Sequence, residues 1–329
     1  MIETISKKRQ KNIGVNENFM RKKLLLALVG VMILALVAAC SSNDEDAETD
    51  SNEEETEAVA TNYGEEVDYT IIGIEPGAGI SVTTEKVLEE YDNLQGWDVS
   101  LSSTGAMMSE LEEAYSNEEP IIITGWNPHW MFAKYPDMQY LDDPKNIYGD
   151  AEDIHSLARV GLKEESPDAY KMIEQFNWEV EDMEEIMYEA EETGNEIEDI
   201  ATQWVEDNQD KVEEWTEGVN DGNGEEIEIV STPWDSERAS SGVLKEAMEQ
   251  HGFNVTVTPV DVAVVFETLA NSDADATVAA WLPITHGSFM EQHEENLVDL
   301  GSNLHGAKIG LVVPEYMDNI KSIEDLEAK

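Results

Sequence analysis

Strand-like runs alternate with helical runs from Tyr69 onward, and this alternation constrains the fold more than any other feature of the chain. The first series reads YTIIGI, SVTTEKVLEEYDNL, WDVSLSS, AMMSELEEAYSN and PIIITGW. The pattern restarts near Glu226 with EIEIVSTPW, SSGVLKEAMEQHG, FNVTVTPV, DVAVVFETLANSD and ATVAAW. Strands separated by helices predict an α/β fold with a mainly parallel sheet, and the repetition predicts two lobes.

The remaining segments complete this domain prediction. Residues 150 to 219 hold helical runs and few strand signals, so we expect helices packed on the second lobe and connecting the two. The late run AKIGLVVPEYM predicts a buried strand that completes either sheet, and SIEDLEA predicts a short acidic helix. The predicted boundaries are 67–149 for lobe 1, 150–310 for lobe 2 and 311–329 for a strand and helix at the lobe crossing.

The N-terminus has the pattern of a secretory signal peptide. Basic residues 21–23 precede an apolar run and then Val37-Ala38-Ala39-Cys40, which resembles the lipobox of bacterial lipoproteins. We therefore expect a signal peptide over residues 1–39, with residues 1–19 as an upstream extension, and a lipid on Cys40. The alternative is an uncleaved anchor helix with an incidental cysteine. Either arrangement places the rest of the chain on the outer face of the membrane.

Residues 40–66 are rich in carboxylates and poor in large apolar residues. Such a segment buries no core and its like charges keep it extended, so it predicts a disordered tether between anchor and folded body. An acidic docking tail is the alternative.

The whole chain of 329 residues carries a formal charge of -54, which excludes nucleic acid as a partner. Its 41% hydrophobic residues and 8 tryptophans argue against disorder throughout. A single cysteine excludes an internal disulfide framework, a multi-cysteine zinc site and a CxxC redox pair. The acidic excess indicates a surface suited to concentrated salt, where charges are strongly screened.

Three tryptophans occupy equivalent positions. Trp126 ends the run IIITGW, Trp234 ends EIVSTPW and Trp281 ends ATVAAW, and each stands just before a helical run. Ligands of open α/β sheets bind at the carboxyl ends of strands, so the three rings are expected to meet in one cleft between the lobes. Aromatic faces attract quaternary ammonium groups by cation–π interaction. A core position explains each tryptophan taken alone, and we interpret the other five as structural: Trp97, Trp130, Trp178, Trp204 and Trp215.

The run Glu75-Pro76-Gly77-Ala78-Gly79-Ile80 joins a predicted strand to a predicted helix. Glycines at such a turn allow the backbone N–H groups of a helix N-terminus to approach an anion. His286, five residues after Trp281, is a candidate donor to the same anion. A plain tight turn and an incidental histidine are the alternatives. A cation cage beside an anion site describes the binding of a zwitterion such as a betaine.

These residues carry a family resemblance. EPGAGI, TGWNPHWMFAKY, STPWDSERAS and TPVDVAVVFETLANSDADATVAAWLPITHG resemble the glycine betaine binding proteins of ABC osmolyte importers. The resemblance implies a two-lobe type II periplasmic-binding-protein fold. It implies a trimethylammonium cage of Trp126, Trp234 and Trp281. The order of the halves resembles a circularly permuted subgroup.

The same resemblance implies that the ligand carboxylate is held by the N–H groups of Gly79 and Ile80 and by His286. It also implies an ABC permease and its ATPase as partners. Enzyme motifs such as GxSxG, HExxH and phosphate-binding loops are absent from the sequence. We therefore expect no catalytic residue, cofactor or metal. The alternative function is a choline- or carnitine-binding receptor lipoprotein that is not coupled to transport.

Overall fold

Nine strands form the centre of the protein in this computed structural model, which describes residues 62–329. The strands, in chain order, are β1 (Thr70–Gly73), β2 (Asp98–Leu101), β3 (Ile123–Asn127), β4 (Met138–Tyr140), β5 (Glu152–Arg159), β6 (Glu226–Ser231), β7 (Asn254–Pro259), β8 (Ala276–Leu282) and β9 (Leu297–Pro314).

Helices cover the faces and ends of these strands. In chain order they are α1 (Tyr63–Glu66), α2 (Gly79–Glu90), α3 (Thr104–Asn117), α4 (Met131–Lys134), α5 (Leu162–Glu165), α6 (Pro167–Gln175), α7 (Val180–Thr193), α8 (Ile197–Asp207), α9 (Gln209–Trp215), α10 (Asp235–Gln250), α11 (Val262–Ala270) and α12 (Gly287–His293). Short 3₁₀ turns lie at Asp92–Leu94, Glu294–Asn296 and Ile323–Asp325. Within residues 62–329 there is no helix whose length and apolarity suffice to cross a membrane.

The strand order is β2-β1-β3-β9-β5-β8-β6-β7, with β4 also paired to β9. Strand β1 runs parallel to β2 and β3, and β6 runs parallel to β7 and β8. The central pairs β3–β9, β4–β9, β5–β9 and β5–β8 are antiparallel. The predicted α/β fold is confirmed, but the expectation of a mainly parallel sheet is wrong. The two outer parts have the parallel crossovers that the sequence predicts, whereas β5 and β9 return along the middle of the sheet.

Strand β9 belongs to both halves of the structure. Its residues 297–307 pair with β5, and its residues 308–314 pair with β3 and β4. The sequence predicted a strand only from Ala307 and left open which sheet it completes; the observed strand begins at Leu297 and completes both. We call β1–β4 with residues 308–314 the first strand group, and β5–β8 with residues 297–307 the second strand group.

Strand β5 falls in the stretch for which mainly helices were expected. Burial alternates over its first five residues, with Ile154 buried, and residues 156–158 are then buried in succession. The charged residues Glu152 and Asp153 mask this alternation in the sequence. The expected C-terminal helix in SIEDLEA is also wrong, since only the 3₁₀ turn forms there.

The folded body begins inside the span assigned to the tether. Tyr63 in α1 packs against the core and donates a hydrogen bond to the carbonyl of Tyr316. The predicted signal peptide, Cys40 and the tether up to residue 61 lie outside the described residues.

The helices between β5 and β6 bury an aromatic cluster. Phe176 meets Trp215 edge-on at 4.9 Å between ring centroids, and Trp178 meets Trp204 at 5.9 Å. All four side chains belong to the main hydrophobic core. Trp204 belongs to α8, which packs against α10, and α10 carries residues of the site described next.

Candidate functional site

A cavity lies between the first and second strand groups. Its wall contains every residue that the sequence singled out for ligand binding: Gly79, Ile80, Trp126, Trp234, Trp281 and His286. The structure therefore brings together segments as far apart in sequence as Gly79 and His286. Ser236, Glu237 and Thr285 also line the cavity and were not predicted.

The tryptophans reach the cavity from strand ends. Trp126 is the penultimate residue of β3, and Trp281 is the penultimate residue of β8. Trp234 follows β6 and directly precedes α10. Trp126 and Trp281 are 6% and 4% exposed, whereas Trp234 is half-buried. Carboxyl ends of strands from both groups thus converge on one space, as expected for ligand sites in α/β sheets.

The indole of Trp281 is fixed by a buried carboxylate. Its Nε1 donates a 2.8 Å hydrogen bond to Oε1 of Glu237, and the Ser236 hydroxyl donates to Oε2 of Glu237 at 2.6 Å. Burial raises the pKa of Glu237 to about 7, although these hydrogen bonds act in the opposite direction. Glu237 was inside the quoted run STPWDSERAS, but carboxylates are so frequent in this chain that the sequence does not distinguish it.

Two tryptophan–carboxylate bonds join the strand groups beside the cavity. Trp234 Nε1 donates to Oε2 of Glu75 at 3.1 Å, and Trp130 Nε1 donates to Oδ2 of Asp235 at 3.0 Å. Trp130, which we interpreted as structural, therefore contacts the element that begins at Asp235. Trp234 donates one of these bonds and the adjacent Asp235 accepts the other. Together the two bonds fix this segment against the first strand group.

The N-terminus of α2 faces the loop between β8 and α12. The first N–H groups of a helix lack intrahelical acceptors, and those of Gly79 and Ile80 belong to this first turn. A Cβ atom built on Gly79 lies 2.5 Å from the backbone oxygen of Thr285, which is closer than real Cβ atoms approach other atoms. Only glycine allows the helix to approach the loop this closely.

A buried carboxylate holds that loop. Glu152, 4% exposed at the start of β5, accepts hydrogen bonds from the backbone N–H groups of Ile284 at 2.9 Å and Thr285 at 3.0 Å. The Thr285 hydroxyl donates to the same carboxylate. These bonds define the loop that carries His286.

His286 lies in this loop, and its neutral imidazole is a candidate hydrogen-bond donor to a ligand. The ring is 2% exposed, and its Nδ1 accepts the N–H of Trp281 at 3.1 Å. Burial lowers the pKa of His286 to about 3. A neutral imidazole whose Nδ1 accepts a hydrogen bond carries its proton on Nε2.

Comparisons with known proteins agree with these features. A sequence model of the substrate binding domain of the ABC-type glycine betaine transport system matches residues 49–207 and 225–329. The glycine betaine/carnitine transport binding protein GbuC of Listeria monocytogenes is 43% identical over 311 residues, covering 94% of this chain and 99% of GbuC.

Solved structures give shorter matches. Lactococcal OpuAC in complex with glycine betaine is 43% identical over 46% of this chain and 59% of that chain, with a TM-score of 0.42. A choline binding protein of an ABC transporter in complex with choline is 26% identical over 55% and 61% of the two chains, with a TM-score of 0.43. The matched parts are less than two thirds of these solved chains. On the evidence of the family match and of GbuC, the chain belongs to the substrate-binding domains of ABC-type glycine betaine transport systems.

Proposed function

We propose that this protein captures glycine betaine, or a related quaternary ammonium compatible solute, and delivers it to an ABC permease driven by its ATPase. The observation that carries the proposal is the meeting of Trp126, Trp234 and Trp281 with the α2 N-terminus and His286 around one cavity. Such a cavity offers aromatic faces to a cation and N–H donors to an anion. A betaine carries both charges on one small molecule.

The tryptophans would surround the trimethylammonium group. A methylated cation has no N–H to donate, so attraction to the ring faces replaces hydrogen bonding, and each ring contributes ~0.5 to 2 kcal/mol. Hydrogen bonds from Trp234 to Glu75 and from Trp281 to Glu237 support this role because they hold two of the rings in place at the cavity wall.

The carboxylate would bind the N–H groups of Gly79 and Ile80 and Nε2–H of His286. The partial positive charge of a helix N-terminus stabilises an anion at this position. The neutral state of His286 supports the assignment, since the ring donates through one nitrogen while the other accepts from Trp281.

We propose that two lobes close over the ligand, with the predicted boundaries 67–149, 150–310 and 311–329. The bonds Trp234–Glu75 and Trp130–Asp235 support closure because they form only when the strand groups lie together. A ligand that contacts both groups shifts the population toward the closed form, which then docks on the permease. Small-angle scattering should show a smaller radius of gyration with saturating glycine betaine; equal radii would contradict closure.

Binding proteins of importers act on the extracytoplasmic side of the membrane. For this chain we propose anchoring through a lipid on Cys40 after removal of residues 1–39. Fractionation of cells that produce Cys40→Ser tests the anchor. The variant should be released into the medium, and its retention in the membrane fraction would contradict lipidation of Cys40.

Osmoprotection in a saline habitat is the proposed physiological role. The charge of -54 supports it, because a carboxylate surface of this density repels itself in dilute buffer and is tolerated where salt screens it.

Isothermal titration calorimetry against glycine betaine, choline and a panel of sugars tests the proposed function. Glycine betaine should bind, sugars should not, and choline should bind more weakly because it lacks the carboxylate. Trp234→Ala should weaken betaine binding at least tenfold, whereas the control Trp97→Phe, which alters a ring packed on Tyr69, should lower only the melting temperature. Absence of betaine binding by the unaltered protein would contradict the proposal.

A further inference from the structure

Glu237 is a carboxylate buried in the wall of the cavity that contains the three tryptophans. It lies in the first turn of α10 and is 2% exposed. Its two oxygens accept hydrogen bonds from the Trp281 indole and the Ser236 hydroxyl. Both donors are neutral, so these bonds leave its negative charge without a counter-charge.

The positively charged side chains of α10 that lie near Glu237 are paired with other acids. Arg238 bonds to Glu198 at 2.7 Å and to Glu196 at 3.1 Å, while Lys245 pairs with Glu249. Among residues 62–329, no ion pair within 4 Å involves Glu237.

The other titratable groups around Glu237 supply no positive charge. Asp235, on the same helix, adds negative charge that disfavours the ionised form of Glu237. Glu198 from α8 lines a neighbouring cavity together with Glu237 and is another acid, and Glu75, which accepts the hydrogen bond from Trp234, is also an acid. His286, from the loop after β8, is neutral, because burial lowers its pKa to about 3.

A buried carboxylate without a counter-charge is costly, and such groups take up a proton instead. In the free protein burial accordingly raises the pKa of Glu237 to about 7, so near neutral pH it is partly protonated. A cation that enters the cavity supplies the missing positive charge and favours the ionised form.

Resting on the proposed function, we infer that the Glu237 carboxylate is the counter-ion of the quaternary ammonium group and releases a proton to solvent when that group binds. The proton leaves a carboxyl oxygen, and no covalent bond to the ligand forms. The residue then selects for positive charge rather than shape alone. A molecule of the same size without the positive charge leaves Glu237 protonated and gains none of this attraction.

The sign of the pH dependence follows from linkage. Binding the cation lowers the pKa of Glu237, so the complex holds fewer protons than the free protein at pH values below about 7. Affinity therefore rises with pH up to about 7, by at most tenfold for each pH unit, and is constant above it. Neither Glu75, whose pKa is lowered, nor His286 titrates in this window.

Calorimetry on the full chain tests the inference directly. Glycine betaine is titrated near pH 6.5 in two buffers of different ionisation enthalpy, and its Kd is followed from roughly pH 5.5 to 8.5. The unaltered protein should release a fraction of a proton on binding, and its Kd should decrease severalfold between the lower limit and neutrality. tert-Butylacetate keeps the shape and the carboxylate of glycine betaine but has an uncharged carbon in place of the quaternary nitrogen, and it should bind at least tenfold more weakly and release no proton.

Glu237→Gln keeps an oxygen acceptor for the Trp281 indole and removes the charge. The variant should release no proton when glycine betaine binds, and its Kd should no longer change with pH. Its Kd values for glycine betaine and tert-butylacetate should differ by less than those of the unaltered protein. The matched control is Glu75→Gln, which removes the other carboxylate bonded to a cage tryptophan and should retain proton release.

The outcomes separate the two claims. Betaine binding without proton exchange in the unaltered protein would overturn the counter-ion role of Glu237 and leave the proposed function intact. Proton release that persists in Glu237→Gln would also overturn it. Absence of any betaine binding by the unaltered protein would overturn the proposed function and this inference together. The measurements on the unaltered protein decide the question even if the variant fails to fold.

Discussion

The Trp234 indole donates a 3.1 Å hydrogen bond to Oε2 of Glu75, which joins the two strand groups across the edge of the cavity. The same carboxylate accepts from the Thr104 backbone N–H at 2.9 Å and from its hydroxyl at 3.0 Å. Burial acts to raise the pKa of Glu75, but these hydrogen bonds outweigh it and the pKa is lowered. Glu75 is therefore a charged acceptor at neutral pH, and charge-assisted bonds are about twice as strong as neutral ones.

Replacing Glu75 should weaken ligand binding. In Glu75→Gln the bond to Trp234 loses its charge assistance, and a cost of about 1 to 2 kcal/mol corresponds to roughly a 5- to 30-fold higher Kd for glycine betaine. Glu85→Gln on the exposed face of α2 removes the same charge away from the cavity and is the matched control. Calorimetric titration of both variants checks the prediction. Equal affinities for the two would show that the Trp234–Glu75 bond does not contribute to binding.

Much of this site was predictable because it depends on local sequence order. Trp126 and Trp281 stand at strand ends because apolar runs of strand length stop there and helical runs begin, and both features are visible in the sequence. The same holds for Gly79, since a glycine between strand and helix indicates a close backbone approach. The sequence did not indicate that Gly79 approaches Thr285, because this contact joins segments that are far apart in the chain.

Other features were not predictable for a physical reason. Glu152 and Glu237 are buried carboxylates, and in a chain with 73 acidic residues a buried acid has the same sequence appearance as a solvated one. Strand β5 was missed because Glu152 occupies one of its buried positions, where an apolar residue is expected. The partner change of β9 between Ala307 and Lys308 depends on pairing with β5 and β3, which local sequence does not encode.

Gly79 should tolerate no side chain. A Cβ there lies 2.4 Å from Thr285 Cγ2 and 2.5 Å from its backbone oxygen, so Gly79→Ala must push the loop of His286 away from α2. We expect the Kd for glycine betaine to rise at least tenfold, as measured by calorimetry. Gly105→Ala, in the first turn of α3, is the control because a Cβ there meets no atom within 4 Å. Unchanged binding by Gly79→Ala would contradict the close approach.

His129 should make the folded state sensitive to acid. Its Nδ1 accepts the Met131 N–H at 3.0 Å, and burial lowers its pKa to about 3. The unfolded chain has a histidine pKa of about 6.5, so below that pH it binds a proton that the native state does not, and stability falls as pH falls. Between neutrality and about pH 5 this proton uptake lowers the free energy of unfolding by roughly 2 kcal/mol.

Urea unfolding of His129→Asn at both pH values measures this effect. Asparagine keeps an oxygen acceptor but does not titrate. When the pH is lowered to 5, the free energy of unfolding of the variant should therefore rise by about 2 kcal/mol relative to that of the unaltered protein. His293→Asn, at a partly exposed position in α12, controls for loss of an imidazole. If the variant and the unaltered protein differ in unfolding free energy by the same amount at both pH values, His129 is not a neutral buried histidine.

Thermal stability should rise with salt. The charge of -54 makes repulsion among carboxylates a large unfavourable term, and the screening length falls from ~10 Å at 0.1 M to ~3 Å at 1 M salt. We expect the melting temperature to rise by several degrees over this range, measured by calorimetry. Near pH 4, where roughly half of the carboxyls are protonated, the increase should shrink. A melting temperature that is flat in NaCl at neutral pH would contradict a salt-adapted surface.

A crystal structure with glycine betaine bound tests the central claim most directly. We predict the trimethylammonium nitrogen within about 6 Å of the ring centroids of Trp126, Trp234 and Trp281. The carboxylate should lie about 2.7–3.2 Å from the backbone nitrogens of Gly79 and Ile80 and from Nε2 of His286. Betaine bound outside this cavity, or with its carboxylate toward the tryptophans, would contradict the account.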